Sequence, residues 1–364
     1  MGQSLVCRMK PYIQPFERTL ALSELSALSH ATPTLLHTQA QPPILFSIPP
    51  VVEPATLARH LAYWETVEGD HTYLTTQVLR ERTLNLVRNG VPTKEIPQLL
   101  LLDDLALPNR RCLRYGTHGI HEYRGKFFPQ LVRSLLNIAN LPMRAIVADP
   151  MCGSGTTNVE AVLADFQGLG LDMNPLSVLM ARTKCALLSI DPQLLTSAYE
   201  RIRAQLIRSP GKRNARLTYF ASLPADDQDY LSGWFSEQVL QDLDELARAI
   251  QSADEPIRDF FWLCLSNIIR SVSWQKDDDL RVRKEVRLDA EIDPIREFLE
   301  EMGRSVRVVL AFLYHSKESC LGSFDIAEGD ARDLPRAWSG WKGRIDTIIT
   351  SPPYATALPY LDTD

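Results

Sequence analysis

The chain has 364 residues, 45% of them hydrophobic and 23% charged, so it can bury a sizeable core and is not disordered throughout. A net charge of −6 excludes a binder whose affinity comes from overall positive charge, while leaving room for local basic grooves. With no run of ~18 apolar residues, no transmembrane helix is expected, and the N-terminal MGQSLVCRMKPYIQPFERTL lacks the apolar stretch of a secretory signal.

Residues 1–114 read as an accessory region. Proline-containing stretches such as QPPILFSIPPVVEP (41–54) interrupt regular patterns, and residues 55–90 read as helical. A mostly helical N-terminal region without chemistry of its own is expected. From residue 115 the pattern changes. HEYRGKFFPQLVRSLLNIAN reads as a turn entering a helix. RAIVAD (144–149) is a β-rich run ending on an acid, followed by a glycine-rich loop and the helical TNVEAVLADF (157–166). GLGLDM (168–173) is a second strand, and PLSVLMARTKCALLS a second helix. Strand–helix–strand–helix is the grammar of a parallel, doubly wound α/β sheet. Residues 190–319 then carry apolar residues at three- and four-residue spacing, which predicts a large helical insertion. Strand patterns return near 323–327 and 345–350, completing a split domain of residues 115–189 and 320–364.

Two motifs carry chemistry. The first is the loop Asp149-Pro150-Met151-Cys152-Gly153-Ser154-Gly155-Thr156-Thr157. Its glycines allow a tight turn and a close approach to a ligand, and the following helix N-terminus offers unpaired N–H groups. Asp149 is placed to accept from a ligand ammonium or to organise the loop. Asp172, at the end of the next strand, stands where nucleotide-type folds bind ribose hydroxyls. Asn158 replaces the third glycine of a dinucleotide fingerprint, and no GKS or GKT occurs. The loop therefore suits a cofactor with an amino-acid part and a nucleoside part, without phosphates. The second motif, Ser351-Pro352-Pro353-Tyr354, follows the strand-like TIIT. Its prolines make a rigid loop that presents carbonyls. With the serine hydroxyl and the tyrosine ring, it suits a flat group bearing an amine, such as a base extruded from a duplex.

With both motifs present, the chain resembles the S-adenosylmethionine-dependent amino DNA methyltransferases, which methylate N4 of cytosine or N6 of adenine. DPMCGSGTT is similar to their cofactor loop D-P-F-x-G-S-G-T-T, with Met151 in place of Phe. GLGLDMNP resembles the ribose-binding segment, with Asp172 as its acid. Gly329-Asp330-Ala331-Arg332 resembles the segment that sets an acid, Asp330, near the adenine. HEYRGKFFPQLV resembles the H-x-Y-x-x-K-F-x-P segment, implying that Lys126 and Phe127 line the methionine side. TSPPY resembles the catalytic motif, and its serine favours cytosine N4, since Asp or Asn is typical of adenine N6.

The resemblance implies a Rossmann-like class I methyltransferase sheet, S-adenosyl-L-methionine as cofactor and double-stranded DNA as partner. The sequence stops ten residues after Tyr354, and four strands are legible where the family has seven. The expectation is a chain ending just after its catalytic motif, either truncated or completed by a complementary polypeptide that supplies the missing strands.

The implied reaction is direct methyl transfer, in which Ser351 and the Pro352 carbonyl accept from the amine and Tyr354 holds the flipped ring. No cysteine nucleophile is needed, and Cys152 reads as a packed thiol. The six cysteines (7, 112, 152, 185, 264 and 320) are scattered and read as free thiols in a reducing cytoplasm. His118 and His121 read as loop or packing residues, and no metal constellation is visible. Residues 201–216 carry five Arg and one Lys with no acid, and 105–133 carry six basic residues against Glu122. Either stretch could hold phosphates or be a solvated face. By contrast, 225–259 sets ten acids against Arg248 and Arg258. Rival readings are an RNA guanine-N2 methyltransferase, a non-catalytic subunit and a nicotinamide oxidoreductase. The HEYRGKFFP segment speaks against the first, and Asn158 against the last.

Overall fold

The computed structural model describes residues 4–36, 43–102, 107–108, 110, 112–123, 125, 127–208, 217–276, 283–286, 292–316 and 320–352. It divides into two compact units. The first holds the described residues of 1–119, 126–188 and 311–351, and the second those of 120–125 and 189–310 together with Pro352.

The first unit contains two sheets. The N-terminal one orders its strands β2-β3-β1-β4-β5, all antiparallel: β1 (Leu5–Met9), β2 (Thr34–Leu35), β3 (Ile44–Ile48), β4 (Trp64–Glu68) and β5 (Thr72–Leu74). It carries the helices α1 (Pro15–Ser29), α2 (Pro54–His60), α3 (Thr76–Arg88) and the single turn α4 (Ile96–Leu99). This corrects the expectation of a mostly helical N-terminal region. The prolines around ILFSI bound a strand instead of breaking a helix, because proline is tolerated at strand ends. Within 55–90 the helix is interrupted by a hairpin, β4–β5, that turns at Gly69 and Asp70. Strand β1 alternates buried and half-buried residues, so Leu5, Cys7 and Met9 join Leu25, Ile48, Trp64 and Val67 in one core.

The second sheet is parallel. After α5 (Pro129–Ala139) come β6 (Ile146–Asp149), α6 (Thr156–Leu163), β7 (Gln167–Asp172) and α7 (Pro175–Ala186). After the insertion come β8 (Phe324–Glu328) and β9 (Thr347–Ile348), giving the order β8-β7-β6-β9 among the described residues. This is the expected α/β arrangement with a parallel, Rossmann-like sheet. Alternation along the strands feeds both faces. Ile146, Ala148, Leu169 and Leu171 pack with Trp338. Val147 points the other way, to Val132, Leu136 and Ala161. Among the described residues β9 is the outermost strand, and its Ile348 is 54% exposed.

The second unit is helical, as the insertion was expected to be: α8 (Pro192–Arg208), α9 (Ala225–Ser232), α10 (Glu237–Gln251), α11 (Ile257–Val272) and α12 (Pro294–Ser316), whose last residues lie in the first unit. Its buried residues follow the helical spacing, such as Phe260, Phe261 and Leu263 on α11 and Phe298, Met302 and Val306 on α12. The turn α13 (Leu334–Ala337) follows β8 in the first unit. No helix among the described residues is long and apolar enough to cross a membrane.

Candidate active site

The glycine loop leaves the carboxyl end of β6, at the centre of the parallel sheet. Gly155 takes φ +79° as N-cap of α6, and a Cβ placed there would lie 2.7 Å from Cα and Cβ of Ala181 on α7. Only glycine lets the loop close this tightly onto the neighbouring helix. The turn is knit by its own backbone: Gly155 N–H donates to the Cys152 carbonyl (2.8 Å), and Cys152 N–H to Leu171 on β7 (2.9 Å).

Two carboxylates frame the loop. Asp149 is fully buried, and its Oδ1 accepts from Met151 N–H (3.2 Å). Its Oδ2 is buried, and the Thr350 and Thr157 hydroxyls lie beside the carboxylate. Burial pushes the Asp149 carboxyl up to about 6, against the pull of the Thr350 and Thr157 hydroxyls. Asp172, at the end of β7, accepts from Gly153 N–H (2.8 Å) and Asn174 N–H (2.9 Å). It thus ties the glycine loop to the cap of α7, where Asn174 accepts from Leu176 N–H at 2.9 Å. Lys184, buried on α7, reaches beneath the loop and donates to the Ser154 carbonyl at 3.1 Å.

The SPPY motif begins at the end of the adjacent strand. In register, β9 pairs Val147 with Thr347 and Ala148 with Ile348, and Ile349 N–H donates to Ala148 (3.0 Å). The Thr157 hydroxyl, in the first turn of α6, donates to the Ile349 carbonyl (3.1 Å). A bond from the helix after the glycine loop therefore fixes the backbone two residues before Ser351. Phe127 packs on the cluster of Val132, Leu136, Val147 and Ala161 that Ile349 also joins.

The structure thus brings together the loop residues Asp149, Pro150, Cys152, Gly153, Ser154, Gly155, Thr156 and Thr157 with Asp172, and sets Phe127 and Ser351 on elements that pack against them. Asp330 follows β8, where its carboxylate accepts from Arg332 N–H and from the Arg332 guanidinium (2.6–3.0 Å). That hydrogen bonding holds it below the usual carboxylate range. Lys126, Pro353 and Tyr354 lie outside the described residues. Cys152 is buried against Val159, Val178 and Ala181. Burial, with Asp149 and Asp172 nearby, raises its thiol well above the usual range, which keeps it protonated and inert.

Sequence reasoning missed a second tier. Glu160 stands in the apolar run NVEAVLA and is completely buried. It accepts from the Tyr115 hydroxyl (2.6 Å) and Arg133 Nε (2.9 Å), and His118 Nε2 lies 2.8 Å from the same oxygen that Tyr115 reaches. An acid inside an otherwise apolar helix was the available signal. Arg133 is therefore no part of a basic surface, which corrects its count among the phosphate-binding candidates of 105–133. His121 is 3.1 Å from the Ser266 hydroxyl. Of the other basic stretch, Arg201 already donates to the Ser252 carbonyl (3.1 Å), Arg203 lies 3.7 Å from Glu200, and 209–216 fall outside the described residues. No cluster of His, Cys, Asp or Glu among the described residues could hold a metal.

Fold and loop define the class, a Rossmann-like α/β sheet with the glycine loop on an inner strand among the described residues. Residues 121–173 match the family described as "RMKL-like, methyltransferase domain". The chain is 25% identical over 248 residues to the type II methyltransferase M.MvaI of Kocuria varians, covering 65% of this chain and 53% of that protein. M.MjaII of Methanocaldococcus jannaschii is 24% identical over 318 residues (67% and 60%), and M.BsoBI of Geobacillus stearothermophilus 24% over 288 (70% and 54%). The solved rRNA methyltransferase aviRa of Streptomyces viridochromogenes aligns with TM-score 0.30 and 18% identity, over 67% of this chain and 66% of that one. Over about two thirds of its length the chain is thus similar to type II methyltransferases. It spans about half the length of the curated relatives it matches, and they give no support for a separate complementary polypeptide.

Proposed function

We propose that the chain carries the cofactor-binding and catalytic-motif part of a DNA methyltransferase. It transfers a methyl group from S-adenosyl-L-methionine to an exocyclic amine of a flipped base, N4 of cytosine before N6 of adenine. The observation that carries this reading is that the glycine loop and Ser351 follow neighbouring parallel strands, β6 and β9, and are bonded together through Thr157. Open α/β sheets bind ligands outside the carboxyl ends of their strands.

The donor set fits the cofactor. The buried Asp149 carboxylate suits the ammonium of a methionine moiety, and the remaining lone pairs of Asp172 suit ribose hydroxyls. Asp330 is the acid toward the adenine, and Lys126 and Phe127 line the methionine side. When bound, S-adenosylmethionine supplies an activated methyl on its sulfonium. The chain's own part is positioning. The Ser351 hydroxyl and Pro352 carbonyl accept from the target amine and favour its pyramidal form, and Tyr354 stacks on the base. Pro353 keeps that loop rigid. Partner DNA would be held by exposed basic residues that lack protein partners, which excludes Arg133. The type II methyltransferase relatives support the DNA reading, and the serine of SPPY supports the choice of N4.

The test is transfer of labelled methyl from S-adenosylmethionine to unmethylated duplex DNA and, in a parallel reaction, to RNA by the purified chain, with product nucleosides identified. Label in N4-methylcytosine is expected. Label in N6-methyladenine overturns the base assignment, label in RNA alone overturns the DNA reading, and no label with cofactor bound overturns the sufficiency of this chain.

A further inference from the structure

The N-terminal region, read from sequence as lacking chemistry, contributes to a buried charge cluster behind the glycine loop. Arg80 of α3 is buried with its guanidinium 5.8 Å from the centre of the Tyr115 ring. Tyr115 and His118 stack edge to face at 5.1 Å, and both reach the Glu160 carboxylate. Arg133 of α5 closes the cluster on the other oxygen. The turn that bears Tyr115 and His118 is itself fixed by Gly116, at φ +55°, where a Cβ would lie 3.0 Å from the Phe312 ring.

The geometry of the anchors is what matters. Glu160 lies one turn into α6, whose first residues close the glycine loop. Arg133 lies one turn into α5, which starts directly after Phe127 and Phe128. One carboxylate thus sets the N-terminal ends of two helices relative to each other: one end bears the loop, the other the Phe127 segment. Burial alone would raise the Glu160 carboxyl, but Arg133, His118 and Arg80 outweigh it and hold it down to about 2. The carboxylate therefore stays charged and gives full-strength bonds to its three donors.

We propose that the buried cluster of Arg80, Tyr115, His118, Arg133 and Glu160 positions the cofactor site, with Glu160 as the positioning residue and Arg80 as the contribution of the N-terminal region. This rests on the reading above that residues 149–157 and Phe127 face S-adenosylmethionine. The cluster touches no cofactor itself. It acts by fixing where α5 and α6 begin.

The test compares the full chain with its Tyr115→Phe and Glu160→Gln variants by calorimetric titration with S-adenosylmethionine, alongside thermal melting. Tyr115→Phe removes one hydroxyl and keeps the ring, so it is expected to fold and to bind the cofactor about tenfold more weakly at unchanged stoichiometry, the worth of one hydrogen bond to a charged group. Glu160→Gln leaves Arg80 and Arg133 uncompensated, and a larger loss of affinity is expected if it folds. Should it fail to fold, Tyr115→Phe decides alone. A Tyr115→Phe variant with a lowered melting temperature but unchanged affinity overturns the proposal, because the cluster then serves stability only. Failure of the unaltered chain to bind S-adenosylmethionine overturns the cofactor reading itself, and this proposal with it.

Discussion

The Asp172 carboxylate accepts the backbone N–H of Gly153 at 2.8 Å, so the acid at the end of one strand holds the loop at the end of its neighbour. Its other oxygen holds Asn174, the cap of α7. A residue read from sequence as a ligand for ribose is thus also the clasp between two loops. Asp172→Ala frees both N–H groups, and hydrogen bonds to a charged acceptor are worth about 1.5–3 kcal/mol. The expected result is a 10- to 100-fold weaker S-adenosylmethionine affinity by calorimetry, with Asp172→Asn falling between the two because it keeps one acceptor oxygen.

The contact of Gly155 with Ala181 predicts a stability effect separable from chemistry. Gly155→Ala sets a Cβ 2.7 Å from a helix backbone at φ +79°. Backbone cannot yield as a side-chain end can. Strain of this kind and overpacking each cost about 1–3 kcal/mol. A loss of roughly 2–6 kcal/mol in denaturant unfolding is expected. The same substitution at Gly340, which meets nothing within 4 Å and has no positive φ, should cost less than about 1 kcal/mol.

The middle of the parallel sheet was legible because β6 and β7 are buried apolar runs whose ends Asp149 and Asp172 mark. The N-terminal sheet was not. Its strands have two to five residues, and prolines beside ILFSI look like helix breakers until the antiparallel pairing of Ile44–Ile48 with Leu5–Met9 is known. Such pairings are non-local, and nothing in a short window encodes them. The loop residues could be named from the motif alone. The Glu160 cluster could not, since its partners come from residues 80, 115, 118 and 133 and meet only through the tertiary fold.

Buried titratable groups predict a stability profile in which opposing terms cancel. Burial, then Arg133, Arg59 and Arg80, lowers His60 to about 4, and burial with Arg80 does the same for His315. These neutral imidazoles add stability above pH 6.5 that is lost as pH falls through 4. Burial raises Glu24, which accepts from Ala62 N–H, Tyr63 N–H and Asn137, to about 7, and Asp149 to about 6. Their contribution is present at low pH and lost as pH rises through those values. Between pH 4.5 and 6.5 the two pairs offset each other, and unfolding free energy should change little. Below 4.5 protonation of Glu160 adds a further loss as pH falls toward 2. Glu24→Gln should turn the flat region into a rise with pH, and His315→Gln into a fall, each by about 1.4 kcal/mol per unit of pKa shift removed. Urea titrations at half-unit pH steps measure both slopes, and parallel curves for all three proteins would refute the assignment.

Ser351 separates binding from chemistry. Its place after β9 depends on backbone bonds, Ile349 N–H to Ala148 and Thr157 to the Ile349 carbonyl, not on its own side chain. Ser351→Ala should therefore leave the fold and the S-adenosylmethionine affinity unchanged while removing one acceptor for the target amine. Removing one group poised for the transition state costs about 10²–10³ in kcat. The expected signature in single-turnover methyl transfer is a slowed chemical step with unaltered cofactor binding. Ser351→Asp exchanges the hydroxyl for the acid typical of adenine-N6 enzymes, and recovery of transfer on adenine by that variant would tie base choice to this one residue. If Ser351→Ala transfers at the unaltered rate, the serine is a turn residue and the accepting group must lie elsewhere in the motif.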